Sequence, residues 1–247
     1  MTQRNCCSKR MTIAIDGPAA SGKSTIGYYL AGYLACLYLD TGVLYRAVTW
    51  AVQDQDIPVE DETRVTRLAE EVNIEVLPPT ESDGRQYTVR VAGQDVTWEL
   101  RSPQVERAVS PVSAYRGVRA ALTHRMREIA RQHSVVMVGR DIGTVVLPDA
   151  NIKLFVDASA EERARRRYLE LKQKGKDVTY EEVLKGIRRR DTIDSQREAA
   201  PLRAAADAIL FDTTALDIEE MMAAATRLVK PKHDRIGAIE GAEHGQV

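Results

Sequence analysis

Short apolar runs recur along the chain, and each is followed by a stretch of helical periodicity. Residues 12–16 form the first run and stop at a glycine-rich turn; residues 134–138 and 152–156 repeat the pattern, and 208–211 form a last short one. Continuous apolar runs of this length suit strands buried on both faces of a parallel sheet. Residues 36–39 are a further strand candidate beside the first. From 22 to 35 the pattern turns helical, with Ile26, Leu30 and Leu34 on one face. Helical stretches are also predicted over 41–71, with a break near Ile57-Pro58, and over 115–133, 159–174, 179–195 and 216–229. Residues 72–100 differ: an apolar run at 72–77 meets Pro78-Pro79, then Tyr87, Val89 and Val91 alternate with polar residues before Gly93, the pattern of a small antiparallel excursion. Ser102-Pro103 and Ser110-Pro111 punctuate the return. Strands alternating with helices predict an α/β fold, a mostly parallel sheet flanked by helices.

The 247 residues give room for one sizeable α/β domain with an inserted subdomain. A formal net charge of −1 argues against a nucleic-acid binder or a membrane-surface protein. Cys6, Cys7 and Cys36 have neither disulfide nor metal-ligand spacing. No apolar stretch approaches the ~20 residues that cross a bilayer, and the apolar run after Arg4, Lys9 and Arg10 is too short for a signal peptide. A cytoplasmic protein is expected. Residues 1–11 read as a disordered leader and 230–247, with little apolar content, as a disordered tail.

The strongest chemical signal is Gly17-Pro18-Ala19-Ala20-Ser21-Gly22-Lys23-Ser24-Thr25, the G-x-x-x-x-G-K-[ST] spacing between a predicted strand and a predicted helix. Glycines let the backbone wrap and turn its N–H groups toward phosphate oxygens, and the helix that follows adds the positive end of its dipole. In this arrangement Lys23 meets the β- and γ-phosphates, and the Ser24 hydroxyl is the candidate Mg²⁺ ligand. This reading establishes nucleotide phosphate binding but not the reaction.

Three further constellations bear on the reaction. Asp40-Thr41-Gly42 with Tyr45-Arg46 follows the second predicted strand, where ligands collect in such sheets; alone, it reads equally as a turn before a surface helix. Gly139-Arg140-Asp141-Ile142-Gly143-Thr144 follows another strand, offering a guanidinium for phosphate and a carboxylate for an amino group, or simply a loop-capping ion pair. Arginines 163, 165, 166, 167, 188, 189, 190 and 197 crowd 163–197. Half of them fit a solvated face, but phosphoryl transfer needs cations around the migrating group. Arg190, Asp194 and Arg197, at i, i+4 and i+7, are predicted to share one helix face.

With these blocks in hand, the sequence resembles the bacterial cytidylate kinase family. Residues 15–25, Leu39-Asp40-Thr41-Gly42 with Tyr45-Arg46, residues 139–146, and Arg190-Asp191, Asp194, Arg197 with Ala200-Pro201-Leu202 match its motifs in order. The resemblance implies a P-loop NTPase-type kinase that phosphorylates CMP and dCMP with ATP and Mg²⁺ in pyrimidine nucleotide metabolism. Its domain would span 12–229: a core of 12–71 and 109–229, a small acceptor-binding insert near 72–108 and a short helical lid near 163–175. Lys23, Arg140, Arg163 and Arg167 would be catalytic. Ser110, Arg119 and Asp141 would contact the cytosine, Arg46, Arg140 and Arg197 the acceptor phosphate, Arg190 and Asp194 the ribose, and Thr41 and Tyr45 would line the pocket. A monomer is expected, with no nucleic-acid or membrane partner. Val138 stands where many relatives carry an acidic residue before the glycine. A GTPase switch would carry an Asn-Lys or Thr-Lys guanine motif, and the chain contains neither pair.

Overall fold

A computed structural model of the protein describes residues 10–242, with side chains described through residue 230. Cys6 and Cys7 and most of the expected leader lie outside it. The chain divides into two compact units.

The first unit comprises residues up to 39, 129–195 and from 202 onward. Its centre is a five-stranded sheet of order β2-β6-β1-β7-β8. These strands are β1 (Thr12–Asp16), β2 (Leu37–Asp40), β6 (Val135–Gly139), β7 (Ile152–Asp157) and β8 (Ile209–Asp212). β1 pairs in parallel with β6 on one side and β7 on the other, and β7 pairs in parallel with β8. In this register Asp16 lies level with Gly139 and Phe155, so the loops after β1 and β6 leave the same sheet edge side by side. β6 is buried along its whole length and β1 from Ile13 onward, as their apolar runs require. Helices α1 (Lys23–Tyr33), α6 (Ala160–Gln173), α7 (Tyr180–Gln196) and α8 (Ile218–Ala242) complete this unit. Ile26 and Leu30 of α1 and Met221, Ala225 and Val229 of α8 join β1, β6 and β7 in one apolar cluster. Val138 belongs to that cluster, and its Cγ2 lies 2.4 Å from the position a Cβ on Gly27 would take. Its side chain therefore packs α1 onto the sheet.

The second unit comprises residues 40–128 and 196–201, and so takes in more than the 72–108 insert expected from sequence. Within it lie α2 (Gly42–Asp54), α3 (Glu62–Glu71), α4 (Pro103–Ala114) and most of α5 (Arg116–Gln132). A small antiparallel sheet, β3 (Ile74–Leu77), β4 (Thr88–Val91) and β5 (Gln94–Asp95), realises the predicted excursion. Arg85 ties its loop together with bonds of 2.6 Å to both Asp83 and Asp95.

Three expectations are corrected. The two Ser-Pro pairs do not break the chain but lie at the start of and within a helix: Ser102 caps α4 by accepting from the Val105 N–H at 3.3 Å, and Pro103 occupies the first turn. The two Ser-Pro pairs misled because proline at a helix start is favourable, and α4 also accommodates Pro111. Second, α7 ends at Gln196, so Arg197 does not continue the face of Arg190 and Asp194. The chain leaves the helix there, Ala200 takes a left-handed φ of 52°, and Pro201 follows. Third, α8 runs through Ala242, beyond residue 229, although Pro231, Gly237 and Gly241 are poor helix formers.

Candidate active site

The first unit carries the phosphate loop. Gly17 has φ 153°, and a Cβ there would sit 2.0 Å from the Val156 carbonyl oxygen, so only glycine fits. Gly22, with φ 90°, caps α1, whose first turn holds no acidic residue. The positive helix end is therefore unopposed by local carboxylates. Lys23 is buried and donates from Nζ to the Pro18 carbonyl oxygen at 2.7 Å, curled back over its own loop. The Ser21 hydroxyl is buried inside the loop without a hydrogen-bond partner. Ser24 is partly exposed in the first turn of α1. Among the described residues no cluster of three or more His, Cys, Asp or Glu side chains could hold a metal ion.

Arg163 and Arg166 approach this loop. Arg163 forms a bidentate pair with Asp191 at 2.9 and 2.8 Å, joining α6 to α7, and donates to the carbonyls of Ala158 at 2.8 Å and Ala19 at 3.4 Å. Arg167 donates to Glu170 at 2.8 Å. Sequence reasoning gave no role to Arg166, which donates to the Thr213 hydroxyl at 3.1 Å and its carbonyl at 2.6 Å. Nor did it find Thr213 itself, fully buried after β8, whose hydroxyl donates to the Ser21 carbonyl at 3.0 Å. The available signal was Asp212-Thr213-Thr214 at the end of an apolar strand.

Beside the phosphate loop stands the Arg140-Asp141 segment. Arg140 pairs with Asp194 of α7 through Nε at 2.8 Å, so two predicted acceptor-site residues meet. Arg190 lies one turn earlier on the same helix. Asp141 is buried, 4% exposed. The residues after it form a π-helical turn, Ile142–Val146. Asp16 accepts from the Ile142 and Gly143 N–H groups, each at 2.7 Å. Burial is the main cause that pushes its carboxyl up to about 6, the two N–H bonds oppose the rise, and Asp141 adds to it.

The second unit holds the other predicted acceptor residues. Arg119 stacks over the Tyr45 ring at 5.3 Å and donates to the Ser113 carbonyl at 2.9 Å; the Ser113 hydroxyl in turn donates to the Ser110 carbonyl at 3.0 Å. Tyr45, Ser110 and Arg119 are thus gathered. Thr41 is buried at the start of α2. Arg46 lies 3.3 Å from Glu106, and Arg197 donates to the Ala200 carbonyl at 2.6 Å. Tyr87, missed from sequence, hydrogen-bonds Arg101 and lies in the field of Asp40 and Arg46; burial is the main cause raising its phenol.

A parallel sheet whose central strand opens into this loop, followed by an acid-free helix start and approached by Arg163 and Arg166, defines a P-loop nucleotide-binding protein of the kinase class. Comparison with known proteins narrows the class. The family model for cytidylate kinase matches residues 13–231. A cytidylate kinase of Herpetosiphon aurantiacus is 50% identical over 88% of this chain and 93% of its own, and one of Carboxydothermus hydrogenoformans is 48% identical over 91% and 99%. The cytidylate kinase of Bacillus subtilis is 45% identical over 86% of this chain and 93% of its own. The chain belongs to the cytidylate kinase family.

Proposed function

We propose that this protein transfers the γ-phosphoryl group of ATP to CMP and dCMP, giving ADP with CDP or dCDP, in pyrimidine nucleotide metabolism. The observation that carries the proposal is the pairing of loops at one sheet edge: the phosphate loop after β1 and the Arg140-Asp141 segment after β6, bridged by Asp16. One suits a nucleoside triphosphate, the other a phosphate and a base with an amino group.

The acceptor phosphate is itself the attacking anion, so no strong general base is needed. The obstacle is repulsion between two phosphate groups brought into line. Lys23 swings from the Pro18 carbonyl to the β- and γ-phosphates, and the loop N–H groups hold the rest of the chain. A Mg²⁺ held by Ser24 would neutralise charge on the β- and γ-oxygens. We assign the acceptor phosphate to Arg46, Arg140 and Arg197, and the ribose to Arg190 and Asp194. Tyr45, Thr41, Ser110, Arg119 and Asp141 are assigned to the pocket, with the last three on the cytosine. Asp141 accepts from the exocyclic amino group of cytosine, whereas uracil presents an oxygen there. Arg163 and Arg167 are assigned to transition-state charge, in a lid near 163–175 made of most of α6 and the turn after it. No helix among the described residues is long and apolar enough to cross a membrane; we place the reaction in the cytoplasm.

ADP production from ATP, measured side by side with CMP, dCMP, UMP, dTMP and AMP, tests the reading. CMP and dCMP should give the highest kcat/KM, and a clear preference for AMP, dTMP or UMP would overturn it.

A further inference from the structure

The π-helical turn after Asp141 needs a cap, and it is capped from elsewhere in the chain. Its backbone closes on itself: Val146 N–H donates to the Asp141 carbonyl at 3.1 Å and Leu147 N–H to that of Ile142 at 2.7 Å. Wide i+5 closure leaves the first N–H groups of the turn without partners inside it. A residue such as Asp141, standing at the N-cap position, would ordinarily turn its own carboxylate onto them. Asp141 makes no such bond. Both N–H groups go to Asp16 instead, one to each oxygen, across 126 and 127 residues of sequence. Gly143 sits between Lys153 and Asp16: a Cβ there would meet the Lys153 side chain at 3.2 Å and Asp16 Oδ2 at an ordinary contact distance of 3.4 Å.

We infer that Asp16 is a positioning residue for acceptor recognition: by capping the turn in place of Asp141, it holds the Asp141 carboxylate and the adjoining Arg140 in the orientation that the acceptor requires. The inference rests on the proposed CMP kinase reading and adds a role that neither the phosphate loop nor the acceptor contacts supply. Asparagine cannot replace Asp16, although it has the same size. An amide offers one acceptor oxygen and turns an NH₂ toward the other N–H, leaving a buried donor unsatisfied. Protonation has a similar effect on the native side chain, because a carboxylic acid cannot accept equally through both oxygens. The charged groups facing Asp16 are Asp141 and Arg140 from the β6 side and Lys153 from β7, the last already held by Asp207 at 2.8 Å.

The test uses the full-length protein and Asp16→Asn. Kinetically, the variant should lose about 10- to 100-fold in kcat/KM for CMP. Its CMP-over-UMP ratio should shrink, and its KM for ATP should move by less than about threefold. A variant that is merely less stable would lower all of these rates together and leave the ratio intact. A second measurement needs no turnover: the backbone amide resonances of Ile142 and Gly143 should titrate together between pH 5 and 7.5 in the ligand-free protein, and the titration should vanish in Asp16→Asn. Amides that stay flat over this range, or a variant with the wild-type CMP-to-UMP ratio, would overturn the inference. A wild-type protein that ignores CMP while its amides still titrate would instead sink the functional reading and leave the capping intact.

Discussion

At the scale of single residues, charge and hydrogen-bond capacity set the expected behaviour. Asp141→Ala should flatten the preference for CMP over UMP, since a buried polar mismatch typically costs on the order of 1–3 kcal/mol; steady-state kcat/KM for both acceptors measures it. Lys23→Ala should lower kcat by about 10²- to 10³-fold, the usual consequence of losing one preorganised charge donor, with circular dichroism unchanged. Asp16 also imposes a pH signature on stability. Its folded carboxyl is raised from 3.8 to about 6, so the native state holds the proton more tightly than the unfolded chain. Its contribution to stability is therefore greatest at low pH, falls between about pH 4 and pH 6, and is level above that; the size is roughly 3 kcal/mol. Urea midpoints of wild type and Asp16→Asn across that window should differ in slope. The ionised form that caps the turn is thus the costlier one to bury. Such a tension was invisible in sequence, where Asp16 reads as the end of an apolar run and part of the opening motif.

At the scale of elements, periodicity located nearly everything that is long and regular. The strands of the parallel sheet were legible because each is a continuous apolar run, and α6 and α7 because their apolar positions recur at helical spacing. What escaped depends on tertiary context. The π turn exists because a distant carboxylate caps it, and the end of α7 is set by the departure toward Ala200 and Pro201. The place of Val138 was likewise opaque until its neighbour on α1 was known. That contact gives a sharp expectation. Gly27→Ala would drive its Cβ to 2.4 Å from Val138 Cγ2 and should cost about 1–3 kcal/mol by overpacking. Adding Val138→Ala should recover part of that loss, and a double-mutant cycle of chemical unfolding measures the coupling. Additive effects would mean that α1 does not pack on β6 through this pair.

At the scale of the molecule, the candidate site was legible as a set of motifs but not as an arrangement. Sequence named Arg140 and Asp194 separately; the structure pairs them at 2.8 Å. Sequence listed eight arginines; the structure shows Arg163 pinned to Asp191 and to the phosphate loop, and Arg166 anchored at Thr213. If the folded chain alone binds nucleotide, ATP with Mg²⁺ at a hundred times its dissociation constant should raise the unfolding free energy by about 2.7 kcal/mol, measured by denaturant titration with and without nucleotide. The order of the sheet has a consequence for biosynthesis. β1, which emerges first, lies in the middle of the sheet, and its neighbours β6 and β7 are encoded late: Met11 bonds Ser134 across 123 residues. At about 5–20 residues per second, a ribosome leaves the nascent β1 without either lateral partner for roughly 6 to 25 seconds. During that interval both edges of an apolar strand are available to other chains. Prematurely terminated products that end before residue 135 retain the hazard permanently, and quality control must remove them.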